Sequence, residues 1–153
     1  MTPAPRYIWT PADFGDHTIP DSAKTFLMTR GLPLNVGVTT FEFGPYDCDS
    51  PDIFVIGQDY EYAVYLAPDG TVWHESGDGK PGDQFMNSSV QRLDKFIEAF
   101  LSSSEIPDDA PEEEARASIR SIIARLEKED PAAFADKERW IWPLVWEDVL
   151  AMS

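Results

Sequence analysis

The segment at residues 61–76, EYAVYLAPDGTVWHES, constrains the fold more than any other part of the sequence. Two runs rich in β-branched and aromatic residues flank Pro68-Asp69-Gly70, a combination typical of a tight turn. The pattern therefore predicts a β-hairpin. Because an isolated hairpin is at best marginally stable in water, the rest of the chain has to supply further strands and helices that cover it.

Two more strands are predicted before the hairpin. Residues 38–43 (VTTFEF) alternate between residues that favour strands, and residues 53–58 (IFVIGQ) form a short apolar run. The polar stretch GPYDCDSPD separates them and reads as a connection between strands.

An amphipathic helix is predicted within residues 84–101, QFMNSSVQRLDKFIEAFL. Ser88 or Ser89 can cap its first amides. Apolar residues then recur at helical spacing along one face, which predicts that this face packs on the core. They are Val90, Leu93, Phe96, Ile97, Phe100 and Leu101.

A short helix is predicted earlier in the chain, within IPDSAKTFLMTRGLP. Asp21 or Ser22 can cap its start, Gly31 can adopt the left-handed stop conformation, and Pro33 prevents continuation.

Two helices are predicted near the C-terminal end. One starts with Pro111 as its first residue, and the other follows Pro143 in ERWIWPLVWEDVLAMS. The first carries the apolar stripe Ile119, Ile122, Ile123 and Leu126. The order helix, strands, helices indicates an α+β fold with a helix layer on one sheet.

The charge of the chain is strongly negative. It has 28 acidic and 12 basic residues, a formal charge of -16 and a pI near 4.2. Such a field repels DNA, RNA and anionic membranes and attracts basic partners or metal ions. Maintenance of solubility is the alternative explanation of the charge, and the sequence leaves both open.

Export and membrane insertion are not predicted. Cys48 is the only cysteine, which rules out an internal disulfide or a thiolate metal cluster. No apolar run reaches the roughly 18 residues that a membrane span needs, and the N-terminal residues lack a signal-peptide pattern. We therefore expect a soluble, cytoplasmic protein.

No catalytic set, metal site or cofactor site is predicted. His17 and His74 do not have metal-ligand spacing. The run DCDSPD fails as an EF-hand, because Asp52 and Gln58 occupy the sixth and twelfth positions, where glycine and glutamate are required. A pair of carboxylates that hydrolyses a glycoside remains an alternative, since sequence gives no separations.

Several segments, taken in order, resemble the SUKH superfamily of bacterial immunity proteins, in particular its fourth branch. They are AKTFLMTRGLP, DIFVIGQD, YAVYLAPDGTVWHES, FMNSSVQRLDKFIEAFL and RLEKEDPAAFADKERWIWPLVWEDVL. The resemblance implies one SUKH-like domain over residues 1–153, with residues 1–19 as a less ordered lead-in. The resembling segments cover most of the chain between about Ser22 and Leu150 and imply a central, mostly antiparallel sheet flanked by helices.

The resemblance also implies a function, the neutralisation of a bacterial polymorphic toxin by binding and not by catalysis. Nucleases and nucleic-acid deaminases are prominent among the toxins paired with this superfamily. The expected partner is therefore a cognate toxin domain with a basic surface, with no direct binding of nucleic acid or membrane. An adaptor domain of the same fold without a toxin partner is the alternative.

Acidic residues on loops are the predicted partner-binding residues, because loops held by a rigid sheet commonly carry binding groups. One set lies between strands or between the hairpin and the following helix, and the other lies in the connector before Pro111. The residues are Asp47, Asp49, Asp52, Asp78 and Asp83, and then Glu105, Asp108 and Asp109.

Overall fold

The computed structural model describes residues 5–37, 39–47, 50–76 and 82–152. The predicted strand residue Val38, the single cysteine Cys48 and the predicted binding residues Asp49 and Asp78 lie outside these ranges. The elements follow in the order β1 (Arg6–Tyr7), α1 (Pro11–Phe14), α2 (Asp21–Thr29), β2 (Leu32–Pro33), β3 (Phe41–Phe43), β4 (Phe54–Asp59), β5 (Tyr62–Leu66), β6 (Val72–His74), β7 (Gln84–Asn87), α3 (Val90–Ser103), α4 (Glu112–Glu129), a 3-10 helix (Pro131–Phe134) and α5 (Ile141–Ala151).

The last five strands form one antiparallel sheet in sequence order, β3-β4-β5-β6-β7. The predicted hairpin is confirmed, with Leu66 opposite Val72 across the turn that contains Gly70. Strands β1 and β2 form a separate antiparallel pair. With helices packed against the larger sheet, the chain is a single α+β domain, which confirms the predicted fold class.

The five-stranded sheet has one core face and one face that is less covered. On β5 the alternating residues Val64 and Leu66 are buried, whereas Ala63 and Tyr65 are half-buried. Strand β6 repeats the pattern, and its half-buried residue is Trp73. Successive side chains point to opposite faces of a strand, so Val64 and Leu66 mark the core face.

The helix α3 packs its predicted stripe into the core. Leu93, Phe96 and Ile97 are at most 1% exposed, and the Phe96 ring contacts the ring of Trp142 at a centroid distance of 5.4 Å. Ser89 is the N-cap, because its side chain accepts a hydrogen bond from the backbone N–H of Arg92 at 3.2 Å. The apolar face and the serine cap are therefore confirmed.

A buried polar network joins β7, the start of α3 and the two last helices. The carboxylate of Asp130, which is 1% exposed, accepts hydrogen bonds from the Asn87 amide and from the backbone N–H and hydroxyl of Ser88. The indole N–H of Trp142 donates to the Asn87 side-chain oxygen at 2.7 Å. Since buried polar groups are costly when unpaired, this network fixes α5 on the core side of the sheet.

Some predicted boundaries are wrong. Helix α5 begins at Ile141, so Pro143 lies in the first turn, where its missing N–H costs no intrahelical hydrogen bond. Pro111 precedes α4 as its N-cap residue. Likewise, α2 is preceded by Pro20, so neither Asp21 nor Ser22 is its cap residue.

Strand β7 was not among the predicted strands. Phe85 and Met86 are adjacent and both buried, because a register shift between β6 and β7 disrupts the usual alternation there. The four residues therefore show no period of two that would predict a strand.

Candidate functional site

The predicted loop acids lie at opposite ends of the five-stranded sheet. Asp47 and Asp52 belong to the connection from β3 to β4 and are exposed. Asp83 directly precedes β7. In an antiparallel sheet of this order, successive connections alternate between the two ends of the strands. The β3–β4 connection therefore lies at the same end of the sheet as the β5–β6 turn. The start of β7 lies at the opposite end, together with the β4–β5 turn. The described acids of this set therefore do not form one continuous surface.

Asp83 is held by the sheet. Its carboxylate accepts a hydrogen bond from the Tyr65 hydroxyl and one from the backbone N–H of Ser76 at 3.3 Å. Burial and the bond to Asp83 raise the pKa of Tyr65, so the phenol stays protonated as the donor. Because Tyr65 points away from the core face, Asp83 lies over the other face of the sheet.

The connector acids Glu105, Asp108 and Asp109 form a separate exposed group between α3 and α4. Ile106 packs against the core and anchors the connector. A shallow, open depression lies beside it, lined in part by Ile106, Asp109 and Glu114. Helix α3 has 14 residues, so its length puts this group about 20 Å from the end of β7.

The face of the sheet away from the core, called here the open face, consists of two rows across the strands. The first row consists of two glutamates, a glutamine and an alanine, and the register places its members side by side. The second row is apolar and aromatic. The rows are Glu42, Gln58, Ala63 and Glu75, followed by Val55, Tyr65, Trp73 and Phe85.

The rings of the second row are held in place. The indole N–H of Trp73 donates to the Thr71 hydroxyl at 2.8 Å, and the Tyr65 hydroxyl donates to Asp83. Trp140 packs edge-on against Trp73 at a centroid distance of 6.2 Å and covers the β7 side of the row. Tyr65 and Trp73 nevertheless keep part of their surface exposed.

Tyr60 stands at the hairpin turn between β4 and β5, beside the first row. It is 75% exposed and has a φ of 55°. Asp59 pairs with Tyr62, so Tyr60 and Glu61 form a two-residue turn. A positive φ at the first turn position is normally occupied by glycine, because a side chain there is sterically disfavoured.

A buried cluster on the core face contains the residues that most resemble acid–base machinery. His74 is 5% exposed, and its ring nitrogens face the Asp59 carboxylate at 2.9 Å and the Glu75 carbonyl at 2.6 Å. Thr40 also donates to Asp59. The hydrogen bond from His74 lowers the pKa of Asp59. Since the imidazole is enclosed and engaged at both nitrogens, this cluster holds neighbouring strands together.

A second charged cluster ties the N-terminal elements to α3. The side chain of Asp94, 4% exposed, forms ion pairs of 2.6 Å with Arg6 and with Arg30. Arg6 also donates to the backbone carbonyls of Arg30 and Gly31. These contacts are internal to the fold and explain why an aspartate is buried within an otherwise apolar helix face.

Neither a metal-binding cluster nor a membrane-spanning helix is found in the described part of the chain. There, no group of three or more His, Cys, Asp or Glu residues is arranged to hold a metal ion. None of the helices in the described ranges combines the length and the apolar character needed to cross a membrane.

Comparison with protein families gives one match. The model of the SUKH-4 immunity protein family matches residues 8–148, nearly the whole chain, and the chain therefore belongs to that family. The search of curated proteins found no match, and the search of solved structures found none either. Members of the family are generally non-catalytic immunity proteins, and membership implies neutralisation of a cognate toxin.

Neither the open face nor Tyr60 is among the residues that the sequence predicts as candidates. Alternation on β5 and β6 separates Tyr65 and Trp73 from the buried residues, so that signal was present in the sequence. The positive φ of Tyr60 had no such signal, because the turn Asp59-Tyr60-Glu61-Tyr62 contains neither glycine nor asparagine.

Proposed function

We propose that this protein binds and inactivates a cognate toxin that acts on nucleic acid, and that it does so without catalysis. The observation that carries the proposal is the SUKH-4 family match over residues 8–148. Neutralisation is what the family implies, and the class of toxin is inferred below from charge.

The charge of the protein supports a toxin with a cationic surface. An enzyme that acts on DNA or RNA binds phosphates through lysine and arginine. A protein with a net charge of -16 repels nucleic acid and is attracted to such a cationic groove. A nuclease or a nucleic-acid deaminase has such a cationic surface and fits the proposal. Direct binding of nucleic acid by the immunity protein does not fit it, because both molecules are negatively charged.

A binding mechanism is supported by the state of the histidines. The imidazole of His74 is buried and engaged at both nitrogens. The Nδ1 atom of His17 contacts the backbone carbonyl of Phe14 at 3.1 Å, and its ring packs against Phe54. Neither ring is positioned as a general base for an external substrate.

The site of action follows from the proposed target. A toxin that acts on nucleic acid does so inside the cell, so the immunity protein has to meet it in the cytoplasm. The predicted loop acids define two alternative surfaces for contact with the toxin. One lies around the sheet and contains Asp47, Asp52 and Asp83, and the other is the connector with Glu105, Asp108 and Asp109. Asp49 and Asp78 belong to the same proposal on sequence grounds alone.

Co-expression tests the proposed function. Each toxin domain encoded near the gene is expressed in a susceptible host, with and without this protein, and growth is recorded. We expect growth to be restored with one of these domains, and to be restored without degradation of the toxin. If growth is restored with none of these toxin domains, the proposed function is contradicted.

The stoichiometry of inhibition separates binding from catalysis. Toxin activity on DNA or RNA is titrated with purified immunity protein, and we expect the activity to reach its minimum near equimolar amounts. Complete inactivation at a small fraction of an equivalent would contradict a binding mechanism and indicate an enzyme.

A further inference from the structure

Lysine and arginine are absent from the whole chain segment that forms the first four strands of the five-stranded sheet. Between Arg30 and Lys80 the sequence contains no basic residue of these two types but nine acidic ones. They are Glu42, Asp47, Asp49, Asp52, Asp59, Glu61, Asp69, Glu75 and Asp78. Strand β7 also lacks lysine and arginine. The strands of this sheet therefore contain acidic residues but no lysine or arginine, and Arg139 lies beside the β7 edge, 5.4 Å from the centroid of the Trp140 ring.

The acidic residues near the open face differ in whether their carboxylates have partners within the fold. Asp59 and Asp83 accept hydrogen bonds from residues of the sheet. Glu42, Glu61 and Glu75 are exposed, and in the described part of the chain no lysine, arginine or histidine forms an ion pair with any of their carboxylates. These three carboxylates are free to pair with cations of another molecule.

The open face has the composition of a binding surface. Its second row offers the half-exposed rings of Tyr65 and Trp73, whose polar atoms are already hydrogen-bonded within the fold. Rings that are fixed before binding lose little conformational entropy on contact. Aromatic residues surrounded by a polar rim are the usual energetic centre of protein interfaces.

Tyr60 adds an exposed ring at the edge of this face. Its left-handed conformation is disfavoured for a residue with a Cβ atom, and a glycine would relieve that strain. Backbone strain of this kind is concentrated at functional sites. An exposed tyrosine is also among the residue types that dominate binding energies.

We infer that the open face, together with Tyr60 and the free carboxylates Glu42, Glu61 and Glu75, is the docking surface for a cationic surface of the cognate toxin. This inference rests on the proposed function and specifies where it takes place. Charge complementarity selects the occupant, because a partner without exposed lysine or arginine would leave the three carboxylates desolvated and unpaired.

The inference is tested with two sets of charge reversals that change the net charge equally. The sheet set is Glu42→Lys, Glu61→Lys and Glu75→Lys. The connector set is Glu105→Lys, Asp108→Lys and Asp109→Lys, at positions that are also exposed. The probe is the toxin domain whose growth inhibition the wild-type protein relieves, carrying a substitution that abolishes its activity.

We expect the sheet set to raise the dissociation constant about 10- to 100-fold and to abolish growth rescue. The connector set should change the dissociation constant less than about threefold, because it shares only the general loss of negative charge. A larger effect of the connector set would overturn the inference and place the contact beside α4.

Variants of Tyr60 separate binding from folding. Tyr60→Gly and Tyr60→Asn accept a positive φ but lack the ring, so the melting temperature should be unchanged or a few degrees higher. Affinity for the same toxin should fall about 10-fold or more, whereas Tyr60→Phe should keep most of it. Wild-type affinity in both ring-less variants would exclude Tyr60 from the surface.

The outcomes distinguish the inference from the proposed function. Binding and rescue by the wild-type protein, with unchanged affinity in the sheet set and in the Tyr60 variants, would overturn the docking surface and leave neutralisation intact. Absence of rescue and of binding by the wild-type protein would contradict the proposed function itself and the docking surface with it.

Discussion

The sheet segment and the helical segment of this protein use their acidic residues differently. Residues 90–152 contain fifteen acidic residues and eight lysines and arginines, whereas residues 31–79 contain nine acidic residues and no lysine or arginine. In the helical segment Lys95 pairs with Glu129 at 2.7 Å, and Asp130 is buried in a hydrogen-bonded network. On the open face and in the adjoining β4–β5 turn, three exposed glutamates have no such described partner.

This difference shows how negative charge can be divided between folding and binding. Acids that are paired or hydrogen-bonded contribute to one folded structure, and their removal leaves other groups unsatisfied. Exposed acids without a partner contribute little to stability and mainly shape the electrostatic field. Substitutions in the two segments should therefore affect different measurements.

The largest loss of stability is expected in the helical segment. Phe96→Ala removes a fully buried ring that contacts Trp142 and Phe134, and should lower the free energy of unfolding by about 3–5 kcal/mol. Urea denaturation measures this loss. Glu42→Ala is the matched change on the open face and should alter stability by less than about 0.5 kcal/mol. Similar losses of unfolding free energy in both variants would contradict the division of the two segments between stability and binding.

A smaller loss is expected from the buried ion-pair cluster. Asp94→Ala leaves Arg6 and Arg30 without their shared carboxylate and should lower the free energy of unfolding by about 2–3 kcal/mol. The loss is smaller than for a fully buried ion pair, because both arginines are partly exposed to water. Asp148→Ala, at an exposed position of α5, is the control and should have little effect. If the two variants unfold at the same urea concentration, Asp94 has no role in stability.

The smallest effect concerns the pH dependence of the sheet. The pKa of Asp59 is lowered in the folded state, so its carboxylate stabilises the fold above its ordinary pKa of about 3.8, and this contribution is lost as the pH falls through the lowered value. Asp59→Asn should lower the free energy of unfolding by about 1 kcal/mol at pH 7. Below about pH 4 its stability should fall less steeply than that of the wild type. Parallel profiles between pH 5 and pH 2 would refute the role of Asp59.

Much of the fold could be predicted from local pattern, and the exceptions have identifiable causes. The turn at Gly70, the apolar face of α3 and the cap at Ser89 follow from residue type and spacing. Strand β7 has irregular register with β6, and β1 and β2 have two residues each, so none of them has a periodic signal.

The candidate site was less predictable because it depends on register. Acidic loops could be found in the sequence, but only the strand pairing places Asp47 and Asp83 at opposite ends of the sheet. The pairing also aligns Glu42, Gln58 and Ala63 in one row. Such neighbours come from different strands, and their contact cannot be read from the order of residues alone.

The dependence of the association rate on salt tests the central claim most directly, namely that the acidic sheet side meets a cationic toxin. The rate constant for binding of the inactivated toxin is measured between about 0.05 and 0.5 M salt, where the screening length falls from above to below 10 Å. For the wild type we expect a fall of about tenfold or more, with a smaller change in dissociation. The sheet set of reversals should flatten this dependence more than the connector set. A wild-type association rate that does not change with salt, or an equal slope in both sets, would contradict the account.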